Sequence, residues 1–196
     1  MTRILLRISS LVLVSAITTG LFSQGAKQVK LVNFELQSSA LIKEAGEKIS
    51  VPGYKSNVYW FPVKVPSTVL TGLVANKVYP DPYSGLNNML IPDASDEFNK
   101  TYDLGKFSHL PGYSNPWKKP YWYRTLFSIP GTDRGRHFQL VFKGINYRAA
   151  VWINGKQIAD STDMAGMFAQ YSFDISEYIK PGEENALAVK IYPLDY

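Results

Sequence analysis

The chain contains no cysteine. Disulfides, thiolate nucleophiles, cysteine zinc centres and a lipidated cysteine anchor are excluded with it, so stability must come from a packed core alone. Histidine is nearly as scarce, with only His109 and His137, far apart in the chain. No His-x-x-x-His spacing, Gly-x-Ser-x-Gly elbow or glycine-rich phosphate loop occurs. Metal hydrolase, serine hydrolase and nucleotide chemistry therefore lack a motif, and no metal or other cofactor is expected. Charged residues make up 19% of the chain, and no basic run is longer than Lys118-Lys119. A formal net charge of +5 spread this thinly offers no continuous track for a nucleic acid backbone. No internal repeat or low-complexity tract is present.

What is there suits an ordered globular chain: 196 residues, 45% of them hydrophobic, enough for one sizeable domain. Aromatic residues reach 14%, with 13 tyrosines and 4 tryptophans. Such a share fits either an all-β core or a face that stacks on flat ligands, and composition does not separate the two. The first residues, "MTRILLRISSLVLVSAITTGLFSQGAKQ", run from a basic start through an apolar stretch, Ile8 to Ile17, into small and polar residues. That order reads as a secretory signal peptide over residues 1–24, cleaved between Gly20 and Gln24. An uncleaved membrane anchor is the competing reading; Arg7 and the serines and threonines count against it. The expectation is a secreted or periplasmic domain over residues 25–196, free of the membrane after cleavage.

Along that domain "LVNFELQ" (31–37) alternates as a strand does, and "NVYWFPVKV" (57–65) is a second candidate that Pro62 pushes toward a sheet edge. In "VPSTVLTGLVANK" the period changes: Ser67 is placed to cap a short helix with the apolar face Val69, Leu70, Leu73 and Val74, ending near Asn76. Residues 78–120 are dense in Pro, Gly, Asn and Asp with no sustained period, and irregular stretches of that length tend to be functional. Strands then resume in "YWYRTLFSIP", "HFQLVFKG", "YRAAVWINGKQIAD", "FAQYSFDI" and "ALAVKIYPL". Asn154-Gly155 between two apolar runs predicts a two-residue hairpin turn, because both positions tolerate positive φ. The sum is all-β: an antiparallel β-sandwich or jelly roll with one short helix.

Within the strands, Arg124 and Arg148 interrupt apolar runs; an anion clamp is conceivable, but a half-buried ion pair, with Asp174 of "SFDIS" as the candidate partner, is the expected role. Trp122 and Trp152, on alternating strands, are expected in the core rather than as ligand platforms. Asn99-Lys-Thr forms a lone glycosylation sequon.

Five ordered blocks, "VPSTVLTGLVANKVYPDPYSGLNN", "YWYRTLFSIP", "LVFKGINYRAAVWINGKQIA", "GMFAQYSFDIS" and "KPGEENALAVKIYP", together resemble the amino-terminal sugar-binding domain of glycoside hydrolase family 2. The similarity runs from about Val29 onward and is greatest to the exo-β-D-glucosaminidase and β-mannosidase-like members. The resemblance implies a galactose-binding-domain-like jelly roll at the front of a longer retaining β-glycosidase acting on terminal β-glycosides. It also implies an immunoglobulin-like domain and a (β/α)8 barrel downstream, the barrel carrying both catalytic glutamates. On this reading the chain is a fragment, no catalytic residue is expected in it, and its partners are a carbohydrate and those downstream domains. A free-standing carbohydrate-binding module is the alternative.

The family places the loop "VYPDPYSGLNN" (78–88) toward the mouth of the barrel's active site. Sugars are held by aromatic faces under their C–H surfaces and by amide or carboxylate groups on adjacent hydroxyls. Asp81, Tyr83, Asn87 and Asn88 supply those groups, although Asp81-Pro82 and Ser84-Gly85 would serve equally as turn chemistry. The resemblance further implies a carboxylate near the end of the last strand that reaches the substrate pocket. Asp195 is the candidate; a solvated aspartate with no such role is the competing reading.

Overall fold

The structure, a computed structural model, describes residues 27–194. The chain divides into two compact units, Met1–Lys30 and Leu31–Tyr196. Only residues 27–30 of the first are described, so the expected leader over 1–24 lies outside the described residues.

Among its described residues the second unit carries eight strands: β1 (Asn33–Ser38), β2 (Phe61–Lys64), β3 (Tyr121–Ser128), β4 (Gln139–Phe142), β5 (Arg148–Ile153), β6 (Lys156–Ala159), β7 (Tyr171–Asp174) and β8 (Glu184–Tyr192). Six form one sheet in the order β2-β1-β3-β8-β5-β6, and β4 pairs with β7 in a second. Every pairing is antiparallel. The architecture is thus the expected all-β sandwich, with an uneven second layer. Two strands of four residues supply part of that layer, and helix and loop segments fill the rest.

Side-chain alternation decides the two faces of the large sheet. Leu36, Val63, Tyr121, Tyr123, Val151, Ile153, Leu187 and Val189 point to one face, where they meet Leu140, Phe142, Tyr171 and Phe173 of the small sheet and Phe138 just before it. Trp122, Ala150, Trp152 and Ala188 point to the other, which is covered by residues 42–60 through Ile42, Ile49, Tyr54, Val58 and Trp60. A two-residue period places every odd residue of β3 on one side and every even one on the other. Leu36 and Ile49 are completely shielded from solvent, each contributing about 1.5–3 kcal/mol by burial.

Both tryptophans are core residues as expected, with ring centroids 5.2 Å apart. Helix α1 (Gly46–Ile49) lies directly on Trp152. A Cβ at Gly46 would fall 2.3 Å from the indole, so only glycine permits the approach. Glu47 Oε1 accepts the Trp152 indole N–H at 3.1 Å.

The other helices refine the sequence reading. Helix α2 (Val69–Ala75) ends at Asn76 as expected, but its cap is Thr68, whose side chain accepts from Thr71 N–H at 3.1 Å. Ser67 instead presents its carbonyl to the Tyr123 hydroxyl at 3.5 Å. Two short helices, α1 and α3 (Asp96–Thr101), were not anticipated. Helix α3 has no apolar stripe to announce it: Phe98 and Tyr102 are exposed. It is held by the Ser95 cap and by Asn99, whose amide exchanges bonds of 2.6 and 2.7 Å with the backbone of Asp93. Asn99 is therefore committed inside the fold, in spite of its sequon.

The Asn154-Gly155 turn joins β5 to β6 with φ of +48° and +83°, as the hairpin requires. Asn154 also donates to Tyr178 O and to Asn185 Oδ1, both at 2.7 Å, and accepts from Ala186 N.

The proposed pairing of Arg124 with Asp174 is not observed. Register places Glu35 of β1 opposite Arg124 of β3, and Nη1 reaches Glu35 Oε2 at 3.4 Å. Asp174 belongs to the small sheet, where its carboxylate accepts from Ser176 N and Oγ. The two residues lie in different layers, which local sequence does not reveal. Arg148, half-buried on β5, is bridged through its backbone to Ala165.

Candidate functional site

The loop after α2 is fastened at both ends and bare in the middle. Val78 N–H closes the helix onto Leu73 O at 2.9 Å. Tyr79, 3% exposed, turns inward and places its hydroxyl 2.9 Å from His109 Nδ1. At the far end Ile91 is buried, and Pro92 O accepts the indole N–H of Trp117. Between these anchors Tyr83 is 97% and Leu86 81% exposed, with Met89 and Leu90 also open to solvent.

The polar residues of the loop shape it. Asp81 Oδ1 accepts Tyr83 N–H at 3.0 Å, a turn that aspartate forms readily. Asn87 Nδ2 donates back to Asp81 O at 3.0 Å. Asn88 is the second residue of a single 3-10 turn over Asn87–Leu90 and is exposed. So Asp81 and Asn87 hold the backbone that presents Tyr83 and Asn88. Of the expected site residues, Asp81, Tyr83, Asn87 and Asn88 are thus brought together on one loop; Asp195 lies outside the described residues.

Beside this loop is a cleft of about 180 Å³ lined by Trp117, Lys119, Tyr121, Asn146, Tyr147, Ile191, Tyr192 and Leu194, among others. None of the four loop residues lines it. Loop and cleft share a scaffold instead. Trp117 pins Pro92 while its ring lies 5.9 Å from Tyr79. His109 joins the loop to the cleft wall, since its Nε2 lies 3.2 Å from the Tyr121 hydroxyl.

This Tyr79–His109–Tyr121 relay was not legible in the sequence, where His109 stands in a Pro- and Gly-rich tract without a motif. Burial pushes the His109 imidazole down to about 4. Tyr79 Oη accepts the backbone N–H of His109 at 3.4 Å and shares a second hydrogen bond with Nδ1 at 2.9 Å. Held that low, the ring is neutral at pH 7, set between the Tyr79 and Tyr121 hydroxyls. Burial raises the Tyr79 and Tyr121 phenols, and that of Tyr123 to about 12, so the tyrosines stay protonated.

Chemically the cleft can stack an apolar sugar face and offer phenol, amide and ammonium groups. Among the described residues that line it there is no carboxylate, and so no pair at the roughly 5 Å separation that retaining hydrolysis needs. At about 180 Å³ it is also smaller than the roughly 300 Å³ of a self-sufficient small-molecule pocket. Among the described residues no group of three His, Asp or Glu is gathered to hold a metal ion.

Comparison with known proteins gives the same picture. Residues 113–195 match the family described as glycosyl hydrolase 2 galactose-binding domain-like. An exo-β-D-glucosaminidase of Streptomyces avermitilis is 29% identical over 175 residues, covering 89% of this chain and 17% of the relative. A mannosylglycoprotein endo-β-mannosidase of Lilium longiflorum is 35% identical over 138 residues, covering 70% of this chain and 12% of the relative. The crystal structure of an Amycolatopsis orientalis exo-chitosanase superposes with a TM-score of 0.67 at 28% identity, over 84% of this chain and 16% of that one. The chain thus spans less than a fifth of the length of each of these relatives.

Proposed function

We propose, from the premise that residues 113–195 belong to the glycosyl hydrolase 2 galactose-binding domain-like family, that the chain serves as the amino-terminal sugar-binding domain of an exported retaining β-glycosidase. The parent is of the exo-β-D-glucosaminidase or β-mannosidase type and acts on terminal β-glycosides. Its two catalytic carboxylates come from a (β/α)8 barrel that follows an immunoglobulin-like domain, and hydrolysis proceeds by double displacement. This chain contributes the rim. Tyr83 presents an aromatic face and Asn88 an amide, on a backbone shaped by Asp81 and Asn87, and Asp195, three positions after β8 in the sequence, adds a carboxylate. The protein works in the periplasm or outside the cell, after loss of residues 1–24.

The observation that carries this reading is the loop itself. Two buried anchors, Tyr79 and Ile91, hold up a tip whose tyrosine is 97% exposed, beside an aromatic cleft too small to enclose a ligand alone. A rigid loop with an unburied aromatic tip suits a surface completed by something else.

The test is hydrolysis of p-nitrophenyl β-D-glucosaminide and β-D-mannoside by the product of the whole reading frame that contains this chain. Tyr83→Ala is expected to raise KM several-fold with little change in thermal stability. Hydrolysis of neither substrate would refute the enzyme. Activity indifferent to Tyr83→Ala would remove the loop from the site. Edman sequencing of the exported product, expected to start between Leu21 and Gly25, checks the leader.

A further inference from the structure

Among the described residues, no other stretch of similar length bares as many large apolar side chains as residues 86–113. Leu86 is 81%, Tyr113 70% and Tyr102 54% exposed, and Met89, Leu90 and Phe98 are open to solvent as well. Beneath them the segment is tied down. Ile91, Leu104 and Leu110 are buried, the Asn99 amide holds Asp93, and Asn115 Nδ2 donates to Asp93 O and Ala94 O at 3.0 and 3.1 Å.

The bare side chains also belong together. The 3-10 turn Leu104–Phe107 is bordered by the turn Asn87–Leu90, by α3 and by the turn Pro111–Tyr113. Phe98 and Tyr102, one helical turn apart, bring their ring centroids to 4.5 Å. At roughly 200 Å² for a fully exposed side chain of this size, the six leave about 600 Å² in water. That matches the largest patch of an ordinary monomer, about 300–600 Å², and one partner's share of an interface between domains of one chain, which buries about 600–1,500 Å² in all. Aromatic residues and methionine, the types enriched at interface centres, supply four of the six.

The charges around the patch are satisfied within it. Lys118 reaches Asp96 at 2.6 Å and Lys106 reaches Asp103 at 3.1 Å, while Glu97 and Lys100 offset each other on α3. A surface neutralised in this way selects an uncharged, apolar protein face rather than a polyanion.

Two observations say whose face that is. This chain spans 17% and 16% of relatives named above, so most of the surface it meets in a parent of that length lies outside it. The patch also starts within the loop that carries Tyr83, beside a cleft whose described lining has no carboxylate, so whatever seats there is placed to bring the missing groups.

We propose that this patch is the seat of the parent's catalytic domain, whose apolar face packs on Leu86, Leu90, Phe98, Tyr102 and Tyr113 and thereby sets the Tyr83 tip at the pocket mouth. The inference rests on the reading of the chain as one domain of a longer glycosidase, and adds to it the surface that joins the two.

Hydrogen exchange read by mass spectrometry compares the 196-residue chain with the product of the whole reading frame that contains it. Amides of residues 86–102 are expected to exchange about tenfold more slowly in the whole product. Phe98→Ser combined with Tyr102→Ser, both on the surface, is expected to abolish that protection while leaving the melting temperature of the 196-residue chain within about 2 °C. Equal exchange in the two proteins, or protection that survives the double substitution, would overturn the proposal. So would a dimer of the 196-residue chain in sedimentation that the double substitution dissolves, since a second copy would then be the occupant. Exchange is read without substrate: a protected patch in a product that hydrolyses neither glycoside refutes the enzyme alone, and an unprotected patch in an active one refutes the seat alone.

Discussion

Acid should unfold this protein earlier than its carboxylates alone require, and His109 is the reason. In the folded chain burial holds its imidazole at about 4, against 6.5 when exposed. Protonation would put a positive charge on a ring withdrawn from water, whose hydrogen-bonding neighbours are the Tyr79 and Tyr121 phenols, both kept protonated by burial. Between pH 6.5 and 4 the unfolded chain therefore binds a proton that the folded chain refuses. Stability is fully present above about pH 6.5 and is lost as pH falls toward 4. At 1.36 kcal/mol per pH unit the interval sets a ceiling of about 3 kcal/mol. The ring is only part-buried, so solvent screening lowers the expectation to about 2 kcal/mol. Urea unfolding of the full chain at pH 7 and pH 4.5 measures it, and a slope near 2 kcal/mol/M converts the loss to a midpoint about 1 M lower. Asp96, Asp160 and Asp174 titrate below 3.8, each held down first by a side-chain hydrogen bond, and stay outside this window. His109→Gln keeps a donor and an acceptor but cannot titrate, so its midpoint should be lower at pH 7 and nearly flat to pH 4.5. A variant as pH-sensitive as the parent would refute the reasoning.

Three substitutions probe the rest of the framework. Gly46→Ala forces a Cβ to within 2.3 Å of the Trp152 indole, and should destabilise by about 1–3 kcal/mol with a visible change in tryptophan fluorescence. Asn185→Leu strips partners from Lys180 N, Lys180 O, Glu183 O and the Asn154 amide, and about 3 kcal/mol of destabilisation should appear in urea melts. Arg124→Lys cannot serve Ile49 O, Val51 O and Glu35 with one ammonium, so it should lose about 2–4 kcal/mol in the same assay despite its retained charge.

How far the sequence could be read follows from the range of each interaction. Strand alternation in β3, β5 and β8 sorts residues onto two faces because the backbone period is exactly two, so Trp122 and Trp152 could be placed in the core beforehand. The Asn154-Gly155 hairpin and the end of α2 at Asn76 depend on neighbours within a few residues and were equally legible. Helix α3 was not, because its cap and the buried Asn99 hold it where no apolar stripe exists. The candidate loop was located by its composition, yet the division of labour within it, Asp81 and Asn87 shaping the backbone while Tyr83 stays bare, emerged only from the fold.

By itself the sequence determined the class of the fold and the faces of its strands, since these are written in local period and turn chemistry; the family resemblance came separately, from five ordered blocks. Tertiary structure alone decided the partners. His109 meets Tyr79 across 30 positions and Arg124 meets Glu35 across 89. Which groups become neighbours over such spans depends on strand order and loop path, and so does what burial then does to their protons. The order β2-β1-β3-β8-β5-β6 sets Glu35 of β1 beside Arg124 of β3. No pattern confined to one segment encodes that arrangement.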